Sequence, residues 1–432
     1  MQLRNVFRDD LAVMQGMADQ KNNEEIGLVA PQPGMTFMKA YRSVDGITLI
    51  SGGEQSERLW AEYNRMLNAL RRGYSVVALI CPERSEHMVD GTARRPGGAA
   101  KPAWTGTVCF DDGSQYGFDP LLSADARDLS TILARVSASV SGDGGARSDY
   151  WRFVLDLLTA CHGNVGLEAF LELDYQKIPQ QLKNLYAERK LSAAAYQEFI
   201  SRYNEALNSQ AAAASDLCSM LKPMKKCLRR KNVGMDELCR RRGVMVLDSI
   251  PRGNRAGINL VLQLLEHLMD DGRLMLVTDG ISCDEWDSLR MDFFRGAEAA
   301  IPMVLGGDLP ALLGSVFDSM MENNSLRFTF RHTSGTSAEK WSVSFGVYPK
   351  RVVEYSIGDD KRNTAIVEKS RGSNIVVRID ENARKIPVNL IQGLEKGCAY
   401  VRIPGSAGIY QLSCPSISLE QMREKLVCLK KK

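Results

Sequence analysis

The stretch from residue 46 to 82, GITLISGGEQSERLWAEYNRMLNALRRGYSVVALICP, decides the fold. Ile47 to Ile50 form a short apolar run, and Gly52-Gly53 mark a turn. From Glu57 to Arg72, apolar residues recur at Leu59, Tyr63, Met66, Leu67 and Leu70, the spacing of a helix with one buried face. Gly73 stands where a left-handed helix cap is wanted, and Ser75 to Cys81 has the continuous apolar character of a strand buried on both faces. Strand, loop, helix and strand in this order predict a right-handed βαβ unit. Its loop lies where nucleotide-binding folds cradle phosphate.

Outward from that unit, strands and helices alternate. A helix (Val6 to Ala18) and a Pro/Gly-rich connector precede it, and the Gly-, Pro- and Arg-rich residues 83–107 follow as a surface excursion. TVCF, DDGSQ and YGFDP predict a hairpin turning at Asp112-Gly113. Two helical stretches come next, and residues 165–232 carry no strand signal. Apolar strands are then expected at GVMVLDSIP, which reaches Asp248, and at LMLVT (274–278), IPMVL (301–305) and SLRFTF (325–330). Helices separate them, one of them starting at Asp284. Ser418 and Gln421 form a capping box for a last helix. The expected organisation is an arm or linker at 1–40, an α/β part at 41–164, an all-α insertion at 165–235, a second α/β part at 236–414 and a C-terminal helix and tail at 415–432.

Composition narrows the classes. With 432 residues, 44% hydrophobic and 25% charged, the chain has the balance of a globular protein with more than one core. No apolar run reaches the roughly 20 residues of a membrane helix, and acids interrupt the first residues where a secretory leader would be apolar. A net charge of +3 does not by itself argue for nucleic acid. The ten cysteines contain no C-x-x-C pair, and the four histidines stand apart, so reduced thiols and no metal centre are expected.

Once both halves are laid out, the order resembles that of the conjugative coupling proteins of type IV secretion, kin of the TraG, FtsK and HerA DNA translocases. ITLISGGEQSERL stands where that family has its Walker A strand and loop, and VMVLDSIP resembles its Walker B strand. FDPL followed by YWRFVLDLL, SLRFTFRHTSGTSAEKWSVSFG and KIPVNLIQGLEKGCAYVRIPG resemble further family elements, so the likeness runs over residues 42–414. The resemblance implies an α/β fold with a RecA-like, mostly parallel sheet flanked by helices and an all-α insertion.

The departures bear on activity. A working loop reads G-x-x-x-x-G-K-[ST], with the lysine on phosphate oxygens and the hydroxyl on magnesium. Here the degenerate phosphate loop comprises Gly52, Gly53, Ser56, Glu57 and Arg58, with Glu57 in the lysine's place and Arg58 in the hydroxyl's. Replacing attraction by repulsion at ~4 Å swings the energy by up to about 8 kcal/mol, the whole of a micromolar affinity. The Walker B-like acid is Asp248, and Ser249 replaces the glutamate that would follow. No catalytic residue, metal ligand or cofactor is therefore assigned. The implied role is a scaffold or regulator among the protein subunits of a secretion or translocation complex, in the cytoplasm or recruited to the inner membrane face.

Two alternatives stay open. One is a non-standard NTPase or translocase using ATP and Mg²⁺ through Arg58 and Asp248. The other is a DNA-binding module using the basic stretch Lys225, Lys226, Arg229, Arg230, Lys231, Arg240, Arg241 and Arg242. The glycine-rich SGDGGARS (141–148) reads as a flexible loop, and LGGD (305–308) as a tight β–α turn whose amides could hold an anion. Arg327 and Arg331 lie where ring ATPases can present an arginine finger, with packing or surface roles as the plainer account.

Overall fold

The apolar run after Gly73 folds as the middle of a sheet. In the computed structural model every residue of β2 (Ser75–Ile80) is buried, because parallel strands flank it on both sides. The structure describes residues 2–26, 28–29, 46–81, 105–109, 114–141, 144–163, 165–204, 210–248, 254–268, 273–282, 302–321, 325–358, 372–404 and 408–428. Two compact units divide the chain, one of residues 36–325 and 415–432, the other of residues 1–35 and 326–414.

In the first unit, β1 (Ile47–Ser51) leads through helix α1 (Gln55–Arg71) to β2, with Gly73 at φ +80 closing the helix. β3 (Thr105–Cys109) and β4 (Gln115–Phe118) form the expected antiparallel pair, its turn outside the described residues. β5 (Asn232–Val233), β6 (Val244–Asp248), β7 (Leu274–Asp279) and β8 (Met303–Gly307) follow. Their order across the sheet is β1-β8-β7-β2-β6-β3-β4-β5. The first five are mutually parallel, β3 runs antiparallel to β6, and β5 pairs parallel with β4. The expected βαβ unit is thus wider than an adjacent pair. Its helix carries the chain past β8 and β7, which are inserted later from the other direction.

Helices α2 (Ala126–Ser141) and α3 (Ser148–His162) pack on each other, and α4 (Arg255–His267) packs on α2. Residues 165–204 and 210–227 are built from helices and 3₁₀ turns around a buried aromatic cluster. Trp151 sits 5.6 Å from Phe170 and 6.2 Å from Tyr175, and its indole N–H donates to the Ala146 carbonyl at 3.1 Å. The glycine-rich stretch before α3 is thereby tied down at Ala146, whose N–H also donates to Ser137 Oγ at 2.9 Å. After β8 the chain forms two short helices, Leu309–Leu313 and Ser315–Met321, parted by Gly314 at φ +54. The Ser418–Gln421 capping box forms as read, at 3.0 and 3.1 Å, and opens α5 (Leu419–Cys428). The helix expected from Asp284 lies outside the described residues.

The second unit opens with a helix, Gln2–Ile26, longer at both ends than Val6 to Ala18. Asn22 pairs with the Arg351 backbone as a neighbouring strand would, donating to its carbonyl at 2.9 Å and accepting from its N–H at 2.8 Å. Leu326–Thr329, Cys398–Arg402 and Ile409–Ser413 pair antiparallel in that order, Leu28–Val29 adds parallel to the last, and Val347–Gly358 forms a long hairpin with Gly372–Arg384. Gly16 lies exposed inside the first helix with open space where a side chain would go. Gly16→Ala is expected to stabilise this unit by up to about 1 kcal/mol, read as a raised urea midpoint.

Among the described residues no helix is long and apolar enough to cross a membrane, and no group of His, Cys, Asp and Glu has the makings of a metal centre. Eight described cysteines carry free thiols.

Candidate functional site

Parallel strands present their carboxyl ends on one edge, where α/β folds bind ligands. Here that edge carries Ser51-Gly52-Gly53 after β1, Gly307-Asp308 after β8 and Asp279-Gly280 after β7. Gly52 and Gly53 take φ +80 and +63, left-handed values that suit glycine, and turn the chain into α1. The Gly52 N–H donates to the Gly307 carbonyl at 3.1 Å, and Ser51 Oγ accepts the Leu309 N–H at 3.1 Å. The LGGD segment is therefore a β–α turn whose first helical amide is already satisfied by Ser51.

The loop holds its own side chains. Glu57, which the motif resemblance sets in the lysine's place, is buried and folds back so that its Oε2 accepts the Glu54 N–H at 2.7 Å. It closes a capping box at the start of α1, so its charge serves a helix end that a phosphate would otherwise occupy. The expectation of an acid projecting into an open cradle is corrected accordingly. The Ser56 carbonyl accepts the Ile417 N–H at 2.9 Å.

Arg58 carries the centre. Its Nε and Nη2 donate to Asp279 Oδ2 and Oδ1 at 2.7 and 3.1 Å, and its Nη1 donates to the carbonyls of Gly52 and Gly53 at 3.1 and 3.0 Å. Side-chain exposure is 1% for Arg58 and 0% for Asp279, so water does not screen the pair. Gln55 Nε2 adds a donor to Asp279 Oδ1 at 2.7 Å and reaches the Cys81 carbonyl at 2.8 Å. Burial pushes the Asp279 carboxyl up, but the Arg58 charge and hydrogen bonds from Arg58, Glu62 and Gln55 outweigh it and hold the group below the usual carboxylate range.

Because the folded carboxyl titrates below the unfolded one, its contribution is fully present above the unfolded aspartate pKa. It fades as pH falls through the lower folded value. The stability gap between wild type and Asp279→Asn should therefore be widest near neutrality and narrow in acid, as urea unfolding at stepped pH would show.

Strand order corrects the other acid. Asp248 ends β6, with three strands between it and β1, so four strand spacings or about 19 Å separate them. Asp279 ends β7, with only β8 between it and β1, and register sets Asp279 opposite Gly306 and Gly306 opposite Ile50. The acid facing the loop is thus Asp279. Both strands read as apolar runs ending in aspartate, and both acids pair in register with Ile80, so only lateral order separates them.

The residues present do not fit a magnesium nucleotide. Position 58 offers a cation in place of a hydroxyl, position 57 a carboxylate in place of an ammonium, and Asp279 already spends both oxygens on Arg58 and Gln55.

The basic stretch is partly neutralised. Lys225 bridges Glu172 and Glu168 at 2.8 and 3.1 Å, Arg240 pairs with Asp236 and Glu237, and Arg241 pairs with Glu237 at 2.6 Å while lying over the Tyr116 ring. Arg229 donates to the Lys226 and Leu228 carbonyls, and Arg242 lies against Gly73. Exposed Lys226, Arg229, Arg230, Lys231 and Arg242 are the charges the stretch keeps for a polyanion. In the second unit, Arg327 is buried and donates to the Ser344 carbonyl at 3.1 Å, and burial together with Arg402 lowers its pKa to about 10, which marks a packing residue. Arg331 is exposed.

No family model and no curated protein matches the chain. Among solved structures it is similar to the bacterial conjugative coupling protein TrwB in a sulphate-bound form, at 13% identity and a TM-score of 0.45, covering 88% of this chain and 87% of that one. TrwB in complex with ADP and Mg²⁺ gives the same figures. VirB4 of Thermoanaerobacter pseudethanolicus is similar at 11% identity and a TM-score of 0.38, covering 88% and 91%.

Proposed function

We propose that this chain is a coupling-protein-like subunit without ATP hydrolysis, a pseudo-ATPase that acts as a scaffold or regulator in a DNA or protein translocation apparatus of the type IV secretion kind. One observation carries the reading: the Arg58 guanidinium is bonded to Asp279 and to the Gly52 and Gly53 carbonyls, and on the loop resemblance it stands where a motor would hold its metal and phosphates. A nucleotide would have to break a buried, bidentate ion pair and displace the Glu57 cap before gaining any contact. The kind of apparatus rests on the motif resemblance in the sequence. Its partners on this reading are protein subunits of such a complex, met in an oligomeric assembly, with recruitment from the cytoplasm to the inner membrane face.

The test is direct. Millimolar MgATP should leave the thermal midpoint unchanged, and phosphate release should not rise above a buffer control. Saturable turnover that disappears in Asp279→Asn would overturn the proposal.

A further inference from the structure

Away from the loop, the second unit carries an open strand edge. Val347–Gly358 and Gly372–Arg384 form a two-stranded sheet of their own, and among the described residues no third strand joins it. A hairpin of two strands is marginal in water unless something packs or pairs with it. Its first strand is covered at Arg351, where Asn22 takes the backbone N–H and carbonyl. On its second strand every residue from Val377 to Asn382 is exposed, Ile379 at 58% and Val377 at 43%.

The Asn22 contact fixes which backbone groups face outward. Arg351 turns its N–H and carbonyl away from the second strand, so the Arg351–Ile379 pair exchanges no hydrogen bond. Ile379, directly opposite, therefore turns its own N–H and carbonyl to the open edge, and Val377, two residues back, does the same. Charge then selects the occupant. An edge guarded against other strands carries charge of one kind, typically lysine. This one carries both signs two positions apart, Arg378 and Asp380, around an apolar Ile379. Antiparallel pairing with the same strand of a second copy, centred on Ile379, sets isoleucine against isoleucine and each Arg378 opposite the other copy's Asp380. Asp380 Oδ1 accepts the Asn382 N–H at 3.1 Å, which leaves Oδ2 for a guanidinium. A centre at Arg378 or at Asp380 would oppose like charges, and a centre at Val377 would oppose neither charge to the other. We propose that this edge is a homodimer interface, at which two copies join their hairpins into one four-stranded sheet across a two-fold axis. The register shift past Asp380 ends the regular edge and keeps the contact short, so dissociation in roughly the micromolar range is expected. The inference uses neither the nucleotide loop nor the role proposed above.

Sedimentation equilibrium of the full chain from about 1 to about 200 μM tests this, with a monomer–dimer equilibrium expected. Ile379→Pro should abolish the dimer and keep the hairpin, because the N–H it removes points outward and serves no bond to Val347–Gly358. Arg378→Asp and Asp380→Arg should each weaken the dimer about tenfold or more. A mixture of these two variants should pair as a heterodimer, since every acidic position then faces a basic one. Recovery in the mixture also establishes that both variants are folded. A chain that stays monomeric throughout, a dimer untouched by Ile379→Pro, or a mixture that pairs no better than either variant alone would each overturn the assignment.

Discussion

Arg58→Ala is expected to lower the unfolding free energy by about 3–5 kcal/mol. The loss is not the strength of one ion pair. Removing the guanidinium strands a fully buried carboxylate, and it takes the donor from the Gly52 and Gly53 carbonyls as well. The remaining Gln55 hydrogen bond to Asp279 cannot offset a missing charge. Arg58→Lys should fall between the two, because one ammonium cannot span both carboxylate oxygens and both glycine carbonyls. Arg58→Met/Asp279→Leu removes both charges at similar volume and should recover most of the loss. Chemical denaturation of the four proteins measures this. If Arg58→Ala costs under about 1 kcal/mol, the guanidinium is not the plug described above, since surface pairs have that magnitude.

How far the sequence foretold this centre differs from one residue to the next. The strand–loop–helix–strand stretch was legible because its signals are local. Two glycines mark the turn, apolar residues recur at helical spacing, and a glycine closes the helix. The same locality gave Glu57 and Arg58 as departures from a phosphate loop. It could not give what they do instead. Glu57 folds back on the amide three residues earlier, a capping pattern present in the sequence as Glu54 and Glu57 but overshadowed by the motif comparison. Arg58 depends on Asp279, 221 positions away, and only the lateral order of strands brings that acid rather than Asp248 to the loop. Strand order is a long-range property, settled by crossovers that pass β8 and β7, and apolar strands that end in aspartate look alike in a sequence. The basic stretch tells the same lesson on a smaller scale. Its positive residues are obvious in a row, whereas Glu168 and Glu172, which hold Lys225, come from more than fifty positions earlier.

Gly306→Ala is the second substitution with a large expected cost, about 3 kcal/mol or more, and it reports on the same cluster from the sheet side. The glycine has no left-handed backbone requirement, so alanine would be accepted on conformation alone and would gain a few tenths to 1 kcal/mol from the stiffer unfolded chain. Sterics decide the sign. An added methyl would meet Glu62 Oε1 and come within 2.5 Å of Asp279 Oδ2. Both carboxyl groups are 0% exposed, so neither can swing into water, and moving Asp279 loosens its contacts with Arg58. The cost therefore exceeds simple overpacking, because the displaced atoms belong to the buried pair. The two effects separate in a cycle. In an Arg58→Met/Asp279→Ala background the pair is gone and the methyl gains room, so Gly306→Ala should cost no more than about half its wild-type value. An equal cost in both backgrounds, measured by urea unfolding, would place the strain at Glu62 and remove Asp279 from the account.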